Sequence, residues 1–367
     1  MTTRRAAVIG LGLIGGSVAM ALRARGWHVT GHDVDGARTD RARELGAVDS
    51  TGHDPEAEIT FVATPVGAIN EEVHEALRRL VPGEGRFVTD VGSVKRFAGA
   101  IGDPRFVGGH PLAGSEQVGL DGADPDLFVG ATWALTPHIA TGNDATSMVQ
   151  SVVRSFGADV LHLTPENHDV LVAMVSHVPH LTAATLMDMA AETAETRQAL
   201  LRLAAGGFRD MTRISAGDPG IWLDICAQNR DLIVDVLDSL TTRLDVIRAL
   251  VFDEDRLGLA DMLERAAIAR RNLPARATSV EGAGLAELRV PVADRPGTLA
   301  EITTIAGNAG VNVVDLEIVH SAEGEQGVVV LVVAERSGPV LREVLAKAGY
   351  RPALSVFDPA GGREPNR

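Results

Sequence analysis

Two short polar runs follow predicted strands in the first half of the chain, and their side chains are suited to proton transfer. Residues 90–95 include Ser93, and residues 109–116 include His110. A histidine in such a loop has a pKa in the range that allows it to act as a base near neutral pH, and the hydroxyl of Ser93 could share or orient the same proton. A solvated turn histidine is the alternative interpretation of His110.

A second polar group lies in the later part of the chain. Arg213 could bind a substrate carboxylate through two parallel hydrogen bonds, although a surface ion pair with Asp210 or Asp218 would use the same residue. His177 and His180 have the spacing of metal ligands, but no acidic or thiol partner stands at ligand spacing. We therefore predict no metal site.

The run Gly-Leu-Gly-Leu-Ile-Gly at residues 10–15 stands between a predicted strand and a predicted helix. Such glycines permit a tight turn, let a pyrophosphate approach the backbone, and let the helix pack on the strand. Asp33 ends the next strand, where a carboxylate can accept hydrogen bonds from an adenosine ribose, and no arginine immediately follows it to bind a 2′-phosphate. A strand–turn–helix with a capping aspartate is the alternative. We predict NAD as cofactor, bound by Gly10, Gly12, Leu13, Ile14, Gly15, Asp33 and Thr64.

The first half of the chain must position these groups, and it alternates short apolar runs with helical patterns. This alternation predicts a Rossmann-type, doubly wound parallel sheet, in which loops at the carboxyl ends of the strands line the ligand crevice. Strands are predicted at residues 6–9, 28–32, 59–63, 87–90, 106–108 and 132–135, with helices such as 15–25 and 68–80.

The pattern changes near residue 165 to apolar residues at three- and four-residue spacing, which predicts an all-helical segment with helices at 166–178, 183–204 and 221–249. Apolar faces on such helices pack against a partner subunit or against an intrachain core, and we predict a homodimer. After a Pro- and Gly-containing linker, a small α+β module with the order βαββαβ is predicted. Its strands are 285–292, 311–318, 328–333 and 351–356, and its helices are 298–309 and 340–348.

The fold class is therefore α/β, with three folded parts. We predict a dinucleotide-binding domain over residues 1–165 and a helical substrate and dimerisation domain over 166–275. A linker at 276–284 leads to the small α+β domain at 285–360, and residues 361–367 form a disordered tail.

Composition excludes several classes of protein. The formal net charge of −15 argues against a nucleic-acid-binding surface. Cys226 is the only cysteine, as expected in a reducing compartment. The glycines of residues 10–16 interrupt what would otherwise resemble a signal peptide, and no membrane span is predicted. We expect a cytoplasmic protein.

The ordered set of motifs at residues 10–17, 90–95, 110–116, 176–180 and 208–222 resembles the prephenate dehydrogenase family over residues 5–280. The resemblance implies oxidative decarboxylation of prephenate to 4-hydroxyphenylpyruvate in tyrosine biosynthesis, with NAD⁺ as hydride acceptor. It implies that His110 accepts the proton of the ring hydroxyl and that Ser93 hydrogen-bonds to that hydroxyl. The substrate-binding residues it implies are Ser115, His180, Asp210, Arg213 and Trp222.

The C-terminal module is similar to ACT domains, which bind amino acids at domain interfaces. The similarity rests on residues 294–299 and 310–313. It implies tyrosine as an effector, with Asp294 and Gly297 at a helix N-terminus and Asn312 on a neighbouring loop. A capped turn without a ligand is the alternative.

Three other functions stay open. An arogenate dehydrogenase would differ only in a substrate that bears an ammonium group in place of a keto group. A β-hydroxyacid dehydrogenase would need a lysine in its helical domain, but the two lysines of this chain, Lys95 and Lys347, lie elsewhere. A non-catalytic regulator that senses NAD and amino acids would have no use for Ser93, His110 and Arg213 together.

Overall fold

The computed structural model describes residues 3–83, 85–114, 117, 119–191, 206–271, 285–293, 295–320 and 326–356. The chain divides into two units, Met1–Arg248 and Ala249–Arg367. The predicted linker at 276–284 and the predicted tail at 361–367 lie outside the described residues. The domain boundaries given above stay predictions.

An eight-stranded sheet organises the first unit, in the order β3-β2-β1-β4-β5-β6-β7-β8. Neighbouring strands are parallel except β6 and β7, which are antiparallel. The Rossmann-type sheet is confirmed. The strands are β1 (Arg5–Ile9), β2 (His28–His32), β3 (Ser50–Thr51), β4 (Ile59–Val62), β5 (Phe87–Asp90), β6 (Phe106–Leu112), β7 (Thr132–Thr136) and β8 (Asp159–His162). The helices that connect them are α1 (Leu13–Ala24), α2 (Gly36–Glu44), α3 (Val66–Arg79) and α4 (Asn143–Ser155).

The order of the strands reverses between β1 and β4, which pair directly with each other. At such a switch point the loops after the two strands diverge and leave a crevice. Gly10 follows β1 and Thr64 lies two residues after β4, so the cofactor residues predicted from sequence stand on both sides of this crevice.

Strand β6 is longer than predicted and contains His110, which the sequence analysis placed in a loop. Val107 is the last residue of β6 that pairs with β5, but the strand then continues against β7, with His110 opposite Ala134 and Pro111 opposite Trp133. Because His110 belongs to a strand, its backbone is held by regular pairing.

Helices complete the first unit. α5 (Pro165–Val172) runs through a π turn (Ala173–His177) into α6 (Val178–Ala191). α7 (Gly206–Thr212) is followed by a 3₁₀ turn (Arg213–Ala216), α8 (Pro219–Gln228) and α9 (Arg230–Phe252), whose last four residues belong to the second unit. The predicted helix 221–249 is divided at Asn229, whose backbone leaves the helical region. The apolar pattern continues across this break, which explains why it was missed.

The helix Pro165–Ala191 is long and apolar enough, by length and composition, to cross a membrane, and no other helix among the described residues is. Core helices of soluble proteins pass the same test. This helix carries four buried polar residues, which are His168, Asp169, His177 and His180. Buried polar groups need partners within the protein, so the face that carries these four residues packs inside the first unit, whereas Val170, Leu171, Met174 and Val175 are exposed.

The second unit contains α10 (Arg256–Arg271) and a four-stranded antiparallel sheet in the order β10-β11-β9-β12. The remaining elements are β9 (Leu285–Ala293), α11 (Thr298–Asn308), β10 (Val313–His320), β11 (Gln326–Ala334), α12 (Gly338–Lys347) and β12 (Ala353–Val356). The predicted order βαββαβ is confirmed. Alternate apolar residues of β9 and β11 pack under the two helices of this module.

Candidate active site

His110 is joined to a buried histidine and aspartate on helix α5. Its Nδ1 lies 2.8 Å from Nε2 of His168, and Nδ1 of His168 lies 2.8 Å from Oδ1 of Asp169. His168 and Asp169 are each 1% exposed, whereas His110 is partly exposed. The three side chains form a hydrogen-bonded chain that ends at the residue predicted to be the base.

Asp169 is also held by the loop that carries Ser93. Its two carboxylate oxygens accept the backbone N–H groups of Lys95 and Arg96, both at 2.7 Å. The amide of Asn229 donates to the carbonyl oxygen of Asp169 at 3.0 Å and lies 3.2 Å from Nδ1 of His177. The break between α8 and α9 thus places a side chain that ties two turns of the 165–191 helix together.

A buried ion pair supports the ends of β5 and β6, beside the hydrogen-bonded residues His110, His168 and Asp169. Asp90 and Lys95 are fully buried and in direct contact. The carboxylate of Asp90 also accepts the N–H groups of Gly92 at 2.8 Å and Gly109 at 3.1 Å. Because Ser93 and His110 directly follow these two glycines, Asp90 fixes the relative position of the loop and the strand. The hydrogen bond from Ser93 to the ring hydroxyl of the substrate stays a prediction.

The electrostatic environment keeps His110 neutral. Burial, followed by the electrostatic influence of the neighbouring His168, Lys95 and His177, holds the pKa of His110 well below the ordinary histidine value. Burial also lowers the pKa of His177 to about 4, although Asp169 opposes the shift. A neutral imidazole is the form that can accept a proton.

His180 and Trp222 form a second part of the candidate site. Their rings stack at a centroid distance of 3.5 Å and an interplanar angle of 13°. The intervening turn packs against them, because a Cβ on Gly217 would lie 3.3 Å from Nε1 of Trp222 and 3.4 Å from Cε1 of His180. Arg213 begins this turn and is exposed, as is Asp210 on α7. Residues that the sequence separates by more than 30 positions are thus brought together, whereas Ser115 lies outside the described residues.

The glycine run has the geometry that a dinucleotide requires. Gly10 adopts a left-handed φ of 91°, and a Cβ on Gly15 would lie 1.8 Å from the carbonyl oxygen of Gly10. Gly12 caps α1 without a side-chain hydrogen bond, and apart from its chain neighbours and the helix's own backbone no atom lies within 4 Å of the Cβ position at Gly12. The helix N-terminus therefore faces open space at the point where a pyrophosphate would bind.

Asp33 and Thr64 border the same crevice. Asp33 accepts the backbone N–H of Leu11 at 2.7 Å, and its carboxylate lies 3.2 Å from the guanidinium of Arg38. The hydroxyl of Thr64 is buried and has no hydrogen-bond partner within the protein, as expected of a group that binds a ligand. The residues present thus fit a dinucleotide. Among the described residues, no group of three or more His, Cys, Asp or Glu side chains could hold a metal ion.

Several residues of this site carry little local signal in the sequence. No arginine immediately follows Asp33, but Arg38 in the first turn of α2 reaches back to it. His168, Asp169 and Asn229 were included only in helical patterns. The adjacent His-Asp pair at 168–169, close behind a helix-starting proline, was the one available signal.

Comparisons with known proteins agree along most of the chain. Residues 18–162 match the family model described as prephenate dehydrogenase, nucleotide-binding domain, and residues 164–265 match prephenate dehydrogenase, dimerization domain. Prephenate dehydrogenase of Bacillus subtilis is 33% identical over 87% of this chain and 89% of that protein.

Two crystal structures are similar as well. Prephenate dehydrogenase from Aquifex aeolicus, in complex with hydroxyphenyl propionate and NAD⁺, has a TM-score of 0.68 and 29% identity over 75% of this chain and 99% of its own. Arogenate dehydrogenase of Synechocystis has a TM-score of 0.63 and 32% identity over 74% of this chain and 100% of its own.

Proposed function

Since this chain belongs to the prephenate dehydrogenase family, we propose that it converts prephenate to 4-hydroxyphenylpyruvate and CO₂ in tyrosine biosynthesis, with NAD⁺ as cofactor. The observation that carries this proposal is His110, a neutral histidine fixed near the end of β6, in the same sheet that forms the dinucleotide crevice. A non-catalytic sensor of NAD would not need a base in this position.

The chain's own residues would do three things in this reaction. The N-terminus of α1, with Asp33 and Thr64, would hold NAD⁺, which supplies the hydride acceptor when bound. His110 would remove the proton of the ring hydroxyl, and loss of this proton increases the electron density on the carbon that gives up the hydride. Ser93 would orient the hydroxyl by a hydrogen bond. Formation of an aromatic ring drives the decarboxylation, so no further catalytic group is required.

The region around Arg213, His180 and Trp222 would bind the substrate. The stacked rings give a flat surface, and Arg213 on the neighbouring turn would bind a carboxylate with two hydrogen bonds. Asp210 and Ser115 would support this pocket. Loss of one member of a desolvated charge pair costs about 2–5 kcal/mol. We expect Arg213→Ala to raise KM for prephenate strongly with little change in KM for NAD⁺, while Arg154→Ala, at an exposed position of α4, leaves both unchanged.

Steady-state kinetics with the full chain test the proposed function directly. We expect NAD⁺-dependent turnover of prephenate with a higher kcat/KM than that of arogenate. The second candidate, arogenate dehydrogenase, is favoured by the similarity to the Synechocystis structure. A higher kcat/KM with arogenate would select it, and absence of turnover with both substrates would refute the family activity for this chain.

The active form would be a cytoplasmic homodimer. The matched helical region is that of a dimerization domain, and α9 carries exposed apolar side chains at Val234, Leu244 and Val246. Large exposed apolar patches are typical of subunit interfaces. Light scattering after gel filtration should give about twice the chain mass of 38.6 kDa, and a monomer would contradict this part of the proposal.

Tyrosine would act as an effector at the C-terminal module. Gly297 precedes α11 with a φ of 93°, which leaves the N-terminus of this helix without a side-chain cap, and Asn312 is exposed. Asp294, the third predicted residue, lies outside the described residues. An effector changes catalysis only if it prefers one arrangement of the protein. We expect Asn312→Ala to weaken inhibition by tyrosine without changing KM for prephenate. Unchanged inhibition would place tyrosine at the active site, as a product analogue.

A further inference from the structure

The hydrogen bonds of Asp169 determine where the proton of His168 lies. One carboxylate oxygen accepts the N–H of Lys95 and also lies 2.8 Å from Nδ1 of His168, while the other accepts the N–H of Arg96. A carboxylate has no proton to donate, so Nδ1 of His168 must carry the hydrogen of the shared bond.

The proton on His168 in turn determines which nitrogen of His110 is protonated. When the N–H on Nδ1 is the only one that His168 carries, its Nε2 is an acceptor. Nδ1 of His110, 2.8 Å away, must then be the donor. This leaves the lone pair of His110 on Nε2. We propose that His168 and Asp169 are positioning residues that hold His110 in the Nδ1–H tautomer and make its Nε2 the base. The inference rests on the proposed function for the reaction, but the tautomer itself does not.

Burial makes this arrangement hard to change. His168 and Asp169 are almost inaccessible to water, so neither can exchange its partner for solvent. The two rings of His168 and His110 meet edge to face, at 72° and 5.1 Å between centroids. When His110 gains a proton on Nε2, its Nδ1–H bond to His168 persists, and the carboxylate of Asp169 offsets the new positive charge. The hydrogen bonds that join His110, His168 and Asp169 are therefore retained in both the neutral and the protonated form of His110.

Kinetics of two variants at residue 168 test this inference. His168→Gln can still offer a carbonyl oxygen to Nδ1 of His110, whereas His168→Leu cannot. Because a positioned general base contributes about 10²–10⁴-fold, we expect His168→Leu to lower kcat by at least about tenfold, with KM for NAD⁺ unchanged, and His168→Gln to restore most of the loss. His162→Leu, at an exposed histidine on β8, is the matched control and should retain wild-type kcat. Wild-type kcat in His168→Leu would overturn the inference.

A nitrogen NMR measurement separates this inference from the proposed function. With ¹⁵N-labelled histidine, the eleven imidazoles report which ring nitrogen is protonated, and comparison with His110→Asn assigns the signal of His110. We expect Nδ1–H for His110 in the wild-type protein, although free histidine favours Nε2–H. Nε2–H would overturn the inference even if His168→Leu loses activity through misfolding. Nδ1–H in a protein that turns over neither prephenate nor arogenate would support the arrangement and refute only the proposed function.

Discussion

The guanidinium of Arg38 lies 3.2 Å from both carboxylate oxygens of Asp33, the residue expected to bind the adenosine ribose. Arg38 is partly exposed on the first turn of α2, while the Asp33 carboxylate is nearly buried. The site predicted to favour NAD⁺ thus contains a cation suited to the 2′-phosphate of NADP⁺, held by the carboxylate that would repel this phosphate.

This pair leads to a prediction about cofactor choice. The wild-type protein should have a clear kcat/KM preference for NAD⁺. Asp33→Ala removes the repulsion and frees Arg38, so we expect kcat/KM for NADP⁺ to rise and that for NAD⁺ to fall. The double variant Asp33→Ala/Arg38→Ala, which lacks the cation, should show a smaller rise in kcat/KM for NADP⁺. Equal use of both cofactors by the wild-type protein would refute the assignment of Asp33.

Gly12 and Gly15 form a matched pair for a test of the pyrophosphate site. Gly12→Ala adds a methyl group to open space, so the melting temperature should stay close to wild type while NAD⁺ binding, measured by calorimetry, is lost. Gly15→Ala places its methyl group against the carbonyl of Gly10 and should lower the melting temperature as well. Tight NAD⁺ binding by Gly12→Ala would show that the pyrophosphate binds elsewhere.

His110 sets the acid limb of the pH profile. Its pKa is lowered by burial and by the neighbouring His168, Lys95 and His177, so the neutral base persists below pH ~6.5. We therefore expect kcat/KM for prephenate to rise with pH through a value below ~6.5 and then stay level as far as His110 determines it.

His110→Asn should lower kcat about 10²-fold or more with unchanged NAD⁺ affinity. If His110→Asn retains most of the wild-type kcat, another group accepts the proton.

His177 should make the first unit sensitive to acid. Its folded pKa of about 4 is below the unfolded value of ~6.5, so the unfolded chain binds the proton first and stability is lost as pH falls through this range. His177 contributes at most about 1.4 kcal/mol per pH unit to the slope of the free energy of unfolding against pH. His177→Gln should reduce this slope, whereas His162→Gln should not. Urea unfolding followed by tryptophan fluorescence measures it, because Trp27, Trp133 and Trp222 all lie in the first unit. An unchanged slope in His177→Gln would contradict the prediction.

The parts of the site that sequence could predict depend on contacts between near neighbours in the chain. The glycine run follows β1 and precedes α1 directly, so its role is visible in a few residues. The bond between His110 and His168 spans 58 positions and exists only because α5 docks against β6, and no local pattern encodes this docking. Arg38 was missed for a smaller reason, since the first turn of a helix reverses the chain direction and returns the side chain to a residue five positions earlier.

The π turn at Ala173–His177 has a consequence for the evolution of the family. A π turn contains about one residue more than an α turn, and here it separates His168, which contacts His110, from His180, which stacks on Trp222. Deletion of one residue from this turn would rotate α6 relative to α5 by about 100°. His180 would leave Trp222 while His168 kept its bond to His110. In related sequences, a one-residue gap at this turn would therefore mark a substrate pocket rebuilt around an unchanged base.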